Sequence, residues 1–421
     1  VGRGRIVRVR DERDERDEND EVSALVSERR SGTSVYLHVG APTAGTAYLH
    51  RVLWDNRRRL ADGGVCYPVA GPQEHFGAVM DLREMSWGGR RDPAWDGAWA
   101  RVAERAREWD GPAVVFSQGL LAGATEEQVK RAVAALEPAD VHVVFATRGW
   151  GWQLALDWQE QILHAHTVRF ERFADDLVKL GVKAPEPYGE MFWGLHDPVR
   201  VLAAWESAVP KERIHVLTLP APGGGPSVLW DRFRAVTGIG ADVCDTAGIP
   251  ADEPLTAVEA ELLRRLNERI GPALGEDYER VVRTHFLDRK TSGTKADRTP
   301  MGLPARHAEW AAARTRETVA SLRASGYDVV GDLAELEADP APRGGLVPDE
   351  VPDELLATAT VEVAAHLLEE LSMTRERVGL AHLHGELAGI RENMRELMEA
   401  AADPSPALRR AARRAARRRG R

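Results

Sequence analysis

The chain has 421 residues, 43% of them apolar and 29% charged, enough for one large globular domain with appendages or for two modest ones. A formal net charge of -10 argues against nucleic-acid affinity of the chain as a whole, because phosphate contacts need a basic face. The two cysteines, Cys66 and Cys244, stand far apart and near no ligand-spaced histidines, so neither a disulfide framework nor a zinc site is expected and a cytoplasmic, reducing setting fits; no run approaches the roughly 18 apolar residues of a membrane span, and the amino end is charged where a signal peptide is apolar.

Residues 1–32, with "RDERDERDENDE", hold almost no apolar side chains and are expected to form a disordered charged leader. From Ser34 the pattern turns to short β-rich runs alternating with helical ones. "SVYLHV" (34–39) reads as a strand, and "TAYLHRVLWDNRRRLADG" (46–63) carries Leu49, Val52, Leu53 and Leu60 at helical spacing and stops at Gly63. "AVVFS" (113–117), "VHVVFATR" (141–148) and "RIHVLTL" (213–219) read as further strands, the first two apolar enough to be central, and helical segments follow at 125–137, after Arg148 and at 226–238. Strands separated by helices need crossover connections, so an α/β domain with a mainly parallel sheet is expected over 33–337.

Residues 250–335 read as mostly helical, with an amphipathic segment at 255–271 opened by Thr256 and closed by Gly271. "ADPAPRGGLVPDEVP" marks a linker over 338–352, followed by a helical appendage over 353–402. There Leu380, Leu383, Leu387, Ile390, Met394 and Leu397 alternate three and four apart, a heptad seam that suits self-association and equally an amphipathic helix docked on the main domain. The tail, 403–421, pairs arginines every four residues. Such a stripe could meet nucleic acid or anionic lipid, but no aromatic side chains interleave with it and a solvated, frayed end is the plainer reading.

"HVGAPTAGTAYLH" (38–50) has the layout of a phosphate cradle: a strand, a glycine-turned loop and a helix start. Convergent N–H groups and the positive end of the helix dipole favour an anion there. Gly40 ends the strand, Gly45 permits the turn and Thr46 supplies a hydroxyl. "GAPTAGTA" nearly matches the Walker spacing G-x-x-x-x-G-K-[ST], but Thr46 stands where the lysine belongs, which argues against ATP or GTP hydrolysis.

The stretch "VYLHVGAPTAGTAYLHRVLWDNRRRLADGGVCYP" resembles the amino-terminal signature of the bacterial sulfotransferase family, whose loop commonly reads G-A-P-K-T-G-T-T before a helix and a "GVxYP" strand. The likeness continues through "VVFATRGWGWQLALDWQEQI" (143–162), "FWGLHDPVRVLAAWESAVPKERIHVLTLPAPGG" (192–224), "ADEPLTAVEAELLRRLN" (251–267) and "SGYDVVGDL" (325–333), most of the chain from Ser34 to Leu336. The resemblance implies a P-loop NTPase-like three-layer α/β fold that binds 3'-phosphoadenosine 5'-phosphosulfate (PAPS) and moves its sulfuryl group to a hydroxyl or amine of a small molecule or carbohydrate, with no metal. It implies that Gly40, Ala41, Pro42, Thr43, Ala44, Gly45, Thr46 and Ala47 hold the 5'-phosphosulfate and that Arg148 pairs with the 3'-phosphate, for which a planar guanidinium fork is suited.

Against that family pattern the loop lysine is replaced by Thr43, and Ala44 and Ala47 replace hydroxyl residues. "SQG" (117–119) stands where relatives carry Ser-His-Glu, Gly149 and Trp150 replace an acidic residue after the arginine, and Leu156 occupies the turn where distant relatives place a serine. Lys290 and Arg51 are candidates to restore the missing charge, with His38 or Glu160 as base; His38 reads equally as a hydrogen-bonded strand residue. Trp150, Trp152 and Trp158 suit an acceptor pocket or an adenine stack, though core packing is the commoner use. His164 and His166 lack partners at metal spacing. Two functions follow: a PAPS-dependent sulfotransferase, or a sulfotransferase-fold protein without catalysis that serves as a binding or assembly partner.

Overall fold

The computed structural model describes residues 32–220, 227–250, 254–282 and 301–402. The expected leader, apart from Gly32, lies outside them, as do the Arg-rich tail and Lys290. From the amino end come β1 (Ser34–Gly40), α1 (Thr46–Asp55), α2 (Arg57–Asp62), β2 (Val65–Cys66), α3 (Glu74–Leu82), α4 (Ala98–Arg107), β3 (Ala113–Ser117), α5 (Glu126–Ala134) and β4 (Asp140–Thr147). There follow α6 (Trp150–Leu163), α7 (Phe170–Leu180), α8 (Tyr188–His196), α9 (Pro198–Trp205), β5 (Ile214–Thr218) and α10 (Ser227–Thr237). The last are α11 (Ala257–Leu274), α12 (Tyr278–Val282), α13 (Ala305–Ser325), β6 (Asp328–Val330), α14 (Leu333–Ala338) and α15 (Asp353–Ala402).

The six strands form one sheet, all parallel, in the order β2-β3-β1-β4-β5-β6. Every residue of β3 and β5 is buried, which is why apolar residues stand at adjacent positions in these runs rather than alternating: helices cover both faces. The expected α/β class with a parallel sheet and a helical carboxyl-terminal part is what folds. Chain order decides where a site can form. After β1 the chain crosses to β2 and β3 on one side, and after β4 it runs to β5 and β6 on the other. The connections leaving β1 and β4 therefore diverge, opening a crevice at the carboxyl ends of these two adjacent strands.

The helix expected over 46–63 is broken into α1 and α2 at Asn56, whose φ of -98° and ψ of 10° leave the helical range. The cause is distant in sequence. Asn56 is 4% exposed; its Nδ2 donates to the carbonyls of Val52 and Asp245, each at 2.9 Å, and its Oδ1 accepts from the Asp245 N–H at 2.8 Å. Helix α11 opens as expected on Thr256, whose hydroxyl and Glu259 form a reciprocal cap, but it runs past Gly271 to Leu274 and stops at Gly275, where φ is 49°.

A first core lies against the sheet, and a second joins α6, α7, α8, α11 and α13 around Trp158, Phe170, Phe173 and Phe192. The Pro/Gly stretch 338–352 is packed rather than loose. Ala341 belongs to the second core at 5% exposure, the Pro340 carbonyl accepts from the Gly151 N–H at 2.8 Å, and Asp349 accepts from Arg169 Nε at 2.6 Å. A Cβ on Gly151 would stand 2.3 Å from that of Ala341, so only glycine admits the segment this close to α6. Gly151→Ala is expected to cost about 1–3 kcal/mol in urea unfolding, the usual range for overpacking, and to open 338–352 to limited proteolysis. An unchanged midpoint and digestion pattern would contradict this packing.

Candidate functional site

The cradle sits at the crevice between β1 and β4. The Ala41 N–H donates to the Ala146 carbonyl of β4 at 2.9 Å, continuing the ladder past Gly40. The loop then closes on itself: the Ala44 N–H donates to the Ala41 carbonyl at 3.2 Å, and Gly45 adopts a left-handed φ of 86° to start α1. The Thr46 hydroxyl, expected to face a ligand, turns back and donates to the Ala41 carbonyl at 3.3 Å. Ala41 and Ala44 are buried at 1% and 0%, so their methyl groups seat the loop on the core. Helix α1 has no side-chain cap and no acidic residue in its first turn. Its first N–H groups and the positive end of its dipole are thus left to whatever anion enters.

Two contacts wedge the loop in place. Gly119, in the 3-10 turn Gly119–Gly123 after β3, lies against Pro42: a Cβ there would come within 3.1 Å of the Pro42 Cα and N. On the other side Gln153 of α6, 3% exposed, donates from Nε2 to Thr43 Oγ1 at 2.7 Å and reaches the Pro42 carbonyl at 3.5 Å. Thr43 itself sits at φ 60°, a left-handed conformation that a β-branched residue rarely adopts. Thr43 is therefore tied to a neighbouring helix through a neutral amide.

Arg148 follows β4 directly and donates from Nη1 to the Pro220 carbonyl, just past β5, at 3.0 Å. It lies two residues beyond the carbonyl that holds Ala41, and its guanidinium reaches the end of β5, on the side of β4 away from β1. Of the other sequence candidates, Arg51 is exposed on α1, and Glu160 lies two turns along α6 from Gln153, facing His164 at 3.2 Å. Trp150 and Trp158 are core, 3% and 0% exposed, with their indole N–H groups donating to Thr318 and to the Val168 carbonyl. Trp152, one turn from Arg148, lines a cavity of about 330 Å³ with Ala338, Asp339, Pro342 and Arg343.

Beneath the loop lies a polar floor that sequence reasoning missed except for His38. His38 is fully buried, with Nδ1 2.8 Å from Ser117 Oγ, and burial pulls its pKa from 6.5 to about 4. His50, one turn into α1, is half-buried and held well below 6.5, first by loss of solvation and then by His75 and His38; among the described residues its Nε2 has no hydrogen-bond partner. Its ring centre lies 4.0 Å from that of His75, whose Nδ1 meets Gln118 Nε2 at 3.0 Å and whose pKa burial lowers to about 4. Neutral rings so enclosed hold strand ends and helix starts together. His38 is thereby placed as a floor residue rather than at the surface where an acceptor would arrive. A turn along α6 from Gln153, Asp157 Oδ1 pairs with His196 Nε2 at 2.9 Å, both buried. Arg83, a second missed residue, donates to the Leu120 carbonyl at 2.9 Å beside the wedge, with burial lowering its pKa to about 10. None of these has a local signal, since each owes its place to contacts 37 or more residues away or to helix packing. Among the described residues no group of three His, Cys, Asp or Glu is placed to hold a metal ion.

The imidazole floor makes the fold acid-sensitive. Unfolded, these rings take a proton near 6.5; folded, His38 and His75 do so only near 4, so acid favours the unfolded chain. Stability is complete above pH 7 and falls as pH drops from 6.5 toward 4, by up to about 3 kcal/mol per ring. His142, lowered to about 4 on another part of the sheet, adds to the same slope. Urea midpoints at pH 7.5 and 5 should differ accordingly. His50→Phe is expected to shrink the difference.

Compared with known proteins, the chain matches no family model, no curated protein and no solved structure.

Proposed function

We propose that this chain is a sulfotransferase-like protein whose cradle, Gly40–Ala47, holds the 5'-phosphosulfate of PAPS and whose Arg148 pairs with the 3'-phosphate, for transfer of the sulfuryl group to a hydroxyl or amine of a small molecule or carbohydrate. The observation that carries this reading is an uncapped helix start with no acidic side chain in its first turn, set where β1 and β4 part, the place at which open parallel sheets bind their ligands. The residues fit an anion: no acidic side chain occupies the first turn of α1, and Gly119 lets the turn after β3 pack closely on Pro42 and hold the loop in place. PAPS, when bound, supplies the sulfuryl group and a phosphate leaving group.

Transfer of this kind depends on positioning and on stabilising charge at the leaving oxygen. The dipole of α1 and its N–H groups do the positioning. Thr43 accepts from Gln153, which leaves its own O–H proton to donate outward. A neutral hydroxyl is about half as strong a donor as a charged one, so it replaces the missing lysine only partly. The second reading, a binding or assembly partner without catalysis, is favoured by one observation: Gly40–Ala47 carry no charged side chain at all.

Calorimetric titration with 3'-phosphoadenosine 5'-phosphate tests the site. Wild type is expected to bind, and Arg148→Ala to bind roughly 10- to 100-fold more weakly, as loss of a charge-assisted contact implies. With radiolabelled PAPS and a panel of hydroxyl acceptors, Thr43→Lys is expected to raise turnover by about a hundredfold or more. Binding without turnover in either protein would leave the second reading standing. No binding by wild type would overturn the assignment of the cradle.

A further inference from the structure

Helix α15 spans 50 residues, about 75 Å at 1.5 Å per residue. Among the described residues the body grips its beginning. Leu356, with Ala359 and Val363, packs on Ala257, Leu262 and Leu266 of α11, and Arg265 pairs with Asp353 at 3.1 Å. From Ala364 to Met373 the described residues are open to solvent save the half-covered Glu370, among them Leu367 (43%), Leu368 (67%) and Leu371 (66%). A single helix takes most of its stability from packing of an apolar face, so a helix this long standing away from the body needs something against it.

The sequence of the outer half says what. Leu380, Leu387 and Met394 take heptad position a, and Leu383, Ile390 and Leu397 position d. Extended one heptad back, Met373 is also an a residue. Of these seam positions Met373 and Met394 have described exposures, 50% and 57%. A stripe of two positions in seven is the narrow seam of a coiled coil, where a helix lying on a globular core shows a broader one. In the same frame Glu386 falls at g and Arg391 at e of the next heptad. Parallel pairing sets g of one strand against e of the other five residues on, so Glu386 meets the second copy's Arg391, twice by symmetry. Antiparallel pairing sets g against g and e against e and loses both attractions.

We propose that the occupant is a second copy of this chain, and that the protein is a homodimer joined through a parallel two-stranded coiled coil over Met373–Leu397. The dimer places the two α/β domains at one end of a shared stalk. This inference is independent of what the cradle binds.

Sedimentation equilibrium of the full chain tests it, with a monomer of 46.3 kDa as reference. Twice that mass is expected at micromolar concentration. Leu387→Lys, at the centre of the seam, should restore the monomer while leaving thermal unfolding of the α/β domain unchanged. Arg391→Glu should weaken the dimer at least tenfold, and adding Glu386→Arg to it should recover wild-type affinity, because the swapped pair again attracts. A monomeric wild type overturns the proposal, as does a dimer indifferent to Leu387→Lys. Failure of the charge swap to rescue overturns the parallel arrangement.

Discussion

The hydrogen bond from the Ala41 N–H to the Ala146 carbonyl carries the ladder between β1 and β4 one step past the end of β1, and the site hangs from that step. It fixes the height of the loop above the sheet. With that height set, Pro42 must press on the turn after β3, where only a glycine gives room, and Thr43 must meet α6, where Gln153 receives it. The same strand, continued by two residues, delivers Arg148. A parallel sheet can do this because its strands end together and their connections part at one place.

What the site offers an anion is mostly backbone. The helix dipole and converging N–H groups act as partial charges, and a formal charge, Arg148, follows the end of β4. The floor adds none, since His38, His50 and His75 are neutral at physiological pH through burial. Such a site discriminates by shape and by hydrogen-bond direction more than by charge. It also loses little preorganisation when empty, because the loop is held by contacts to α6 and β3 that do not involve a ligand.

Much of this was legible in the amino-acid sequence, for identifiable reasons. Strand runs such as "AVVFS" are apolar because both faces of the sheet are covered, and the cradle can be read because its two glycines and its helix start lie within eight residues. Arg148 was legible as a strand end. The break at Asn56 was not, because it is imposed by Asp245, 189 residues away. Gly271 and Gly275 both suit a helix stop, and local sequence does not choose between them. Gln153, His50, His75 and the Asp157–His196 pair sit within helices whose pattern announces only that one face is inward. Their chemistry appears when that face is set against a particular loop. The tryptophans of α6 show the reverse: conspicuous in sequence, two of the three are packing.

The bond between Gln153 and Thr43 bears on what position 43 can hold. A lysine at position 43 has no acceptor for the Gln153 amide, which would be left buried with only the Pro42 carbonyl at 3.5 Å. Stranding a buried donor costs about 1–3 kcal/mol, a sizeable part of the stability of a domain. A lysine there therefore asks for a second change at position 153, and that second change alone brings no gain in charge. The two positions are epistatic, coupled through a single hydrogen bond.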